Sequence, residues 1–378
     1  MSANSPGSSD VLEQVCIHTV APEAAIVDKD GLFPDRSLKA LAGAGLLGAL
    51  SAPDVGGLGL GVRGAAAIVS RLAQDCGSTA MVVCMHFCGA AVLEAYGPAP
   101  IRRAAASGAH LSTLAFSEAG SRSHFWAPVG TVRPDGDHVV LDARKSWVTS
   151  ASKASAYVWS SQPLRPADGA LSTLWLVPAD TPGIRIEGAF DGLGLRGNDS
   201  SPVAAEGARV PASAMIGEDG KGFAIMMETV LPLFNVLTAA CSVGIMEAAV
   251  QRTARHASGV RYAHLGSTLA DLPTVRSYIA RMRIKTDMAR ALLDDTIAAL
   301  EHRRGDAMLR VLSCKAAAGE AATEVLETAM RVCGGVAFRK DLAVERYFRD
   351  AHAAGVMAPT TDVLYDFIGK AVCGLPLF

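Results

Sequence analysis

The chain has little net charge: 35 basic residues stand against 37 acidic ones, mixed along its 378 residues. No basic stripe of the kind that nucleic-acid binding requires is present, so that class is excluded. No uninterrupted apolar run approaches the roughly 20 residues of a membrane span, so no membrane partner is expected. The N-terminal string Met-Ser-Ala-Asn-Ser-Pro-Gly-Ser-Ser-Asp lacks a basic n-region and an apolar h-region, and a cytoplasmic address is the expectation. Aromatic residues are scarce at 6%, although half of the composition is hydrophobic. The cysteines at 16, 76, 84, 88, 241, 314, 333 and 373 are scattered through apolar helical surroundings, which fits reduced thiols rather than a disulfide framework. Cys84 and Cys88 share a helix face, but a metal needs two further ligands nearby and none is apparent, so no metal is expected.

What is there has a clear order. A single core stops growing at roughly 250–300 residues, so a chain this long reads as two or three packed units able to bury a large ligand. Residues 11–110 read as helices, with Leu38-Lys-Ala-Leu-Ala-Gly-Ala-Gly-Leu-Leu and the long apolar stretch from Ala65 to Tyr96 at helical spacing. Residues 111–215 lose that period and carry short β-branched segments: Gly130-Thr-Val-Arg, His138-Val-Val-Leu, Tyr157-Val-Trp and Thr173-Leu-Trp-Leu-Val. Pro134-Asp-Gly-Asp137 between two of these predicts a tight hairpin. The helical period returns over 216–378, interrupted by Gly334-Gly335 and Pro359.

Six strings then fall in one recognisable order. Ala115-Phe-Ser-Glu-Ala-Gly-Ser-Arg-Ser123 is followed by Lys145-Ser-Trp-Val-Thr-Ser150 and Gly192-Leu-Gly-Leu-Arg-Gly-Asn-Asp199. Val210-Pro211, Gly217-Glu-Asp-Gly-Lys-Gly-Phe223 and Val344-Glu-Arg-Tyr-Phe-Arg-Asp350 complete the series. Together they resemble the acyl-CoA dehydrogenase superfamily from about residue 25 to 370. The resemblance implies an α+β multidomain fold: an N-terminal helical bundle, a middle β-barrel-like domain and a C-terminal four-helix bundle. It also implies FAD between the last two. Carried over position by position, Ser117 and Thr149 bond the flavin ring, Trp147 covers it, Ser123 and Thr360 reach the phosphates, and Arg261 or Arg331 pairs with phosphate. Gly334 and Gly335 resemble the turn that approaches the FAD of a neighbouring subunit, which implies a homodimer or homotetramer.

The family removes an α proton from an acyl thioester with a glutamate while the β hydrogen goes to the flavin, so a base within reach is indispensable. Aligned on Arg349-Asp350-Ala351, the usual glutamate position is held by Ala358, in Met357-Ala-Pro-Thr-Thr-Asp362. The family's other base position and its neighbouring arginine are held by Phe234 and Asn235. Phe234, Asn235, Met357 and Ala358 are therefore expected at the acyl pocket, and Asp362, Tyr365 and His124 are the candidates for a relocated base. Three readings follow. The first is oxidation of an acyl thioester on coenzyme A or acyl carrier protein, at the α,β or an unusual position, with electron-transfer flavoprotein as acceptor. The second is a flavin oxidase or monooxygenase that uses oxygen and needs no such base. The third is a non-catalytic subunit paired with a catalytic paralogue.

Overall fold

The computed structural model describes residues 8–122 and 124–377. Helices fill the chain from Ser8 to Ser107, strands follow from Ser112 to Ile216, and helices return from Gly222 to Val372. The expected order of helices, strands and helices is what the chain adopts.

The strand region consists of β1 (Ser112–Ala115), β2 (Thr131–Asp135), β3 (His138–Val148), β4 (Ala156–Ser161), β5 (Thr173–Pro178), β6 (Ile184–Ile186), β7 (Ser201–Pro211) and β8 (Met215–Ile216). They form two four-stranded sheets, ordered β1-β4-β5-β8 and β2-β3-β7-β6. Each of the four segments read as strands lies in one of them. The expected hairpin joins β2 to β3, with Asp135 paired to His138 and Gly136 at φ +65°. A core of Leu141, Tyr157, Trp159, Trp175 and Val203 fills the space between the sheets. Half of the chain's four Trp residues thus go into this one small core, which is how a chain poor in aromatics closes a sheet pair.

In the C-terminal region the long helices Leu231–Gly259, Pro273–Glu301 and Ala307–Cys333 pack on one another, with Thr361–Val372 against the last. Pro273 stands in the first turn of its helix, where the missing N–H costs nothing, whereas Pro232 directly follows the π-helical turn Met226–Val230 inside a continuous helix. The Gly61–Ala73 helix crosses Leu231–Gly259 at Gly244, where a Cβ would lie 2.2 Å from the Ser70 carbonyl oxygen. Any side chain there would force the two helices apart.

Two helices, Gly77–Tyr96 and Gly222–Gly259, are long and apolar enough to cross a membrane by length and composition, which the absence of an uninterrupted apolar run did not anticipate. Their most apolar windows are 78% and 83% buried inside the protein, so both pack as core helices. Cys84 and Cys88 are buried among them. His86, on the same helix, is stitched to the Leu47 carbonyl and accepts from the Ser112 N–H, with burial pulling its pKa down to about 4.

The three regions meet at the Gly192–Asp199 string. Arg349 donates to both carboxylate oxygens of Asp28 at 2.8 and 2.6 Å, to Glu345 at 2.8 Å and to the Leu193 carbonyl at 3.0 Å. Asp350 accepts from the Leu195 N–H at 2.6 Å, and Ser78 accepts from the Gly197 N–H at 3.1 Å. One loop is thereby held by an N-terminal helix on one side and by the Val344–Ala351 helix on the other.

The most enclosed ion pair lies in the β region. Lys145 Nζ on β3 donates to Glu118 Oε1 at 2.5 Å, to the Ser160 carbonyl at 2.7 Å and to Ser160 Oγ at 2.9 Å. Glu118 Oε2 accepts from the N–H groups of Val129 and Gly130 at 2.7 and 2.9 Å. Every atom of the pair is satisfied, which is the condition under which a buried charge is tolerated.

Two expectations follow. Glu118→Gln leaves Lys145 buried without its counter-charge and should lower unfolding free energy by about 3 kcal/mol, read from urea midpoints. Asp350 gives a pH signature: burial raises its carboxyl to about 6 from the ordinary 3.8. The folded state therefore keeps a proton that the unfolded chain has released, and the stability of the neutral form is lost as pH rises through the folded value. Asp350→Asn cannot ionise, so its stability relative to wild type should improve by roughly 2–3 kcal/mol between about pH 4 and pH 7.

Candidate active site

The Ser117–Glu118 turn lies directly on β3: Ser146 N–H donates to the Ser117 carbonyl at 2.8 Å, and Glu118 bridges Lys145. The register of β3 against β7 slips between Lys145 and Val148. Trp147 sits in that slip with φ +55°, a backbone conformation that a bulky residue rarely adopts, and its side chain is 71% exposed. The bulge turns an indole outward from a strand whose other aromatic neighbours are buried. Thr149, two residues on, is buried, with Oγ1 3.0 Å from Ser200 Oγ and its carbonyl accepting from Thr113 Oγ1 at 2.7 Å.

Ser117, Trp147 and Thr149 form one wall of a cavity of about 760 Å³. Much of the remaining lining is apolar, including Met85, Leu231, Phe234, Val356, Met357 and Ala358. The structure thus brings the residues expected at the flavin ring and three of the four expected at the acyl group to a single cavity. The volume falls within the roughly 300–1,000 Å³ range of small-molecule sites. Left-handed residues cluster here too, with Arg122, Trp147 and Leu195 all lining it. Backbone strain of that kind concentrates where a ligand must be gripped.

Other expected residues lie elsewhere. Asn235 is one position from Phe234, which on a helix turns it about 100° away; it is fully buried and donates to the Val311 carbonyl at 3.3 Å. It belongs to helix packing rather than to the pocket. Asp362 is exposed in the first turn of Thr361–Val372, where a carboxylate complements the helix dipole. Tyr365 is 44% exposed. His124 is exposed, with its ring edge-on to Trp126 at 5.1 Å. None of these three lines the cavity.

Of the phosphate-end residues, Arg261, Thr360, Gly334 and Gly335 also lie off this cavity. Arg331 stacks over Tyr278, 5.6 Å from the ring centroid. Gly334 has φ +59° and ψ −142°, a combination open essentially to glycine alone, and a Cβ at either glycine would meet nothing within 4 Å. That turn is open for an approach from outside the chain. Ser123 lies outside the described residues.

Three polar lining residues that the sequence reading did not single out stand out. Asn198 and Ser200 lie beside Thr149, and His352 faces the cavity next to Ala353. Asn198 and Ser200 sit at the end of, and just past, the Gly192–Asp199 string. His352 lies three residues beyond Arg349, which also lines the cavity, so the spacing that puts side chains on one helix face pointed to it.

The donor set suits a flavin. A flat ring needs an aromatic or apolar cover and polar groups at its edge. Trp147 supplies the first, and the hydroxyls of Ser117 and Thr149 with Ser200 behind them supply the second. Asn198 Oδ1 is buried with no hydrogen-bond partner among the described residues, an acceptor suited to a ligand N–H.

Comparison with known proteins agrees with this geometry. The descriptions "Acyl-CoA dehydrogenase, N-terminal domain", "middle domain" and "C-terminal domain" match residues 9–106, 113–208 and 220–373. The human mitochondrial short-chain specific acyl-CoA dehydrogenase is 30% identical over 373 residues, covering 96% of this chain and 89% of its own. The cyclohex-1-ene-1-carbonyl-CoA dehydrogenase of Geobacter metallireducens is 29% identical and covers 96% of both. Among solved structures, butyryl-CoA dehydrogenase from Megasphaera elsdenii superposes with a TM-score of 0.90 at 21% identity, over 99% of this chain and 100% of that one, and so shares the fold. With all three of its regions matched in order and a relative at 30% identity along nearly its whole length, the chain belongs to the acyl-CoA dehydrogenase family.

Proposed function

We propose that this protein uses FAD to oxidise the acyl chain of a thioester carried on coenzyme A or acyl carrier protein, and that its base is not the family's glutamate. The observation that supports this reading best is the position of Trp147, turned out by a left-handed backbone onto a cavity that Phe234, Met357 and Ala358 also line. When bound, FAD supplies the two-electron acceptor for the hydrogen lost from carbon. Ser117 and Thr149 present hydroxyls at the edge of the site, and Ser200 Oγ orients that of Thr149 at 3.0 Å. The apolar walls exclude water, which strengthens each of those contacts.

No usable carboxylate reaches this cavity. Ala358 and Phe234 hold the two positions where the family carries its glutamate. Glu118 is the one Asp or Glu lining the cavity among the described residues, and Lys145, Val129 and Gly130 engage both of its oxygens. A glutamate with three of its acceptor sites filled and its charge matched by a buried lysine is a weak base for an α proton. The same feature supports a second reading, an oxidase in which reduced flavin passes its electrons to oxygen. Electron-transfer flavoprotein is the acceptor in the first reading. In either case we assign the open Gly334-Gly335 turn to a second subunit, as homodimer, homotetramer or pair with a paralogue.

The test is the visible spectrum of the purified protein, then anaerobic mixing with butyryl-, isobutyryl- and octanoyl-coenzyme A and the matching acyl carrier protein thioesters. A flavin spectrum that at least one thioester bleaches supports the dehydrogenation, and oxygen consumption by the bleached protein distinguishes the oxidase. A flavin that none of them reduces overturns the proposal. Thr149→Val removes one donor at the cavity edge and should slow bleaching roughly 10²-fold, while changing unfolding free energy by about 1 kcal/mol or less.

A further inference from the structure

Four titratable side chains line the cavity among the described residues: Glu118, Arg122, Arg349 and His352. Glu118 is consumed by its ion pair and two backbone N–H groups. The two arginines carry no acceptor and cannot take a proton. Arg349 is in addition held on every nitrogen, by Asp28, Glu345 and the Leu193 carbonyl. His352 is left.

Its local structure prepares it for proton transfer. Nδ1 lies 2.7 Å from the Phe348 carbonyl oxygen, one helical turn back, and the ring packs 4.7 Å from the Phe348 ring. A carbonyl only accepts, so Nδ1 carries the hydrogen, and in the neutral imidazole Nε2 is left with its lone pair. Nε2 has no hydrogen-bond partner among the described residues. The bond to Phe348 fixes both the tautomer and the ring orientation, the same function that a second group performs for catalytic histidines generally. Half-buried on the wall that continues into Ala353, Val356 and Ala358, the imidazole faces the space where the acyl group is placed.

We infer that His352 is the base of this enzyme, replacing the carboxylate absent from position 358. The inference rests on the thioester reading above. Nε2 takes the α proton of the acyl thioester: the α C–H bond breaks, an N–H bond forms, and the electron pair stays on the substrate as the thioester enolate. As the carbon–carbon double bond forms, the β hydrogen leaves with its electron pair to the oxidised FAD. The product is the enoyl thioester, and the imidazolium returns its proton to solvent.

The test separates the proton step from the redox step. The FAD-loaded wild type and the His352→Asn variant, whose side-chain amide can still donate to the Phe348 carbonyl, are incubated in D₂O with the 3-thia analogue of the thioester that best bleaches the flavin. Deuterium at the α carbon is followed by mass spectrometry. The expected result is exchange in the wild type and a loss of 10²-fold or more in the variant, with flavin content and analogue affinity held within threefold. Ala358→Glu added to His352→Asn should restore exchange, because it returns a carboxylate to the same wall. Should His352→Asn fail to hold flavin, His352→Gln is measured in its place. Exchange in the variant at the wild-type rate overturns the assignment of His352 and leaves the thioester reading standing. A wild type that neither exchanges nor is bleached overturns both.

Discussion

Everything at the β3 wall of the cavity depends on one buried contact, the ammonium of Lys145 against the carboxylate of Glu118. Two strings separated by more than twenty residues must present Ser117 and Trp147 to the same ligand, and neither string belongs to the other's strand ladder. The ion pair, with the bridge between the two residues and the Ser146 to Ser117 hydrogen bond, joins them. Its contribution is mainly positional. Desolvating both groups costs several kcal/mol that their attraction only repays, so a hydrophobic pair of the same volume would stabilise the fold as well. Such a pair would not orient the turn, because apolar contacts are not directional, whereas each Lys145 and Glu118 bond fixes an angle as well as a distance.

The same economy of groups supports the proposal that the base is not a carboxylate. A carboxylate close to the β3 wall has already been used to hold that wall. The Leu231–Gly259 helix and the segment around Met357 line the same cavity with Leu231, Phe234, Val356, Met357 and Ala358, which present carbon rather than oxygen. The cations that remain, Arg122 and Arg349, are excluded by their chemistry. An imidazole whose tautomer is set by its own helix needs no further partner, which suits a site whose other polar groups are occupied.

Much of the fold could be read from the residues because each level of signal agreed. The helical period, the β-branched segments and the Asp-Gly turn each pointed to the element that forms, and the six strings placed those elements in order. Ser117, Trp147 and Thr149 were legible because they lie within continuous strings whose spacing survives in this chain. The remainder of the site was not, for reasons of geometry. Phe234 and Asn235 are adjacent in sequence, but one helical step sends their side chains to different surroundings, and only the packing reveals which faces the cavity. Asp362 and Tyr365 lie close in sequence to Ala358, yet the Thr361–Val372 helix carries both outward. His352 lies outside the segment that aligned with the known base, and only its place in the cavity lining singles it out from the chain's other histidines. The outward turn of Trp147 also had no local signature, since it arises from a register slip between β3 and β7 that only the paired strands define.

Ala358 and Phe234 act on the cavity in opposite senses. A methyl at 358 opens space along the segment running back through Val356 and Ala353, while an aromatic ring at 234 fills space beside the Leu231–Gly259 helix. In the thioester reading proposed above, the acyl chain shares this cavity with both residues, and His352 stands beside Ala353 in the same lining. On that reading the loss of the glutamate and the bulk at 234 are parts of one change, in which an imidazole upstream of position 358 takes over the proton that a carboxylate would otherwise accept.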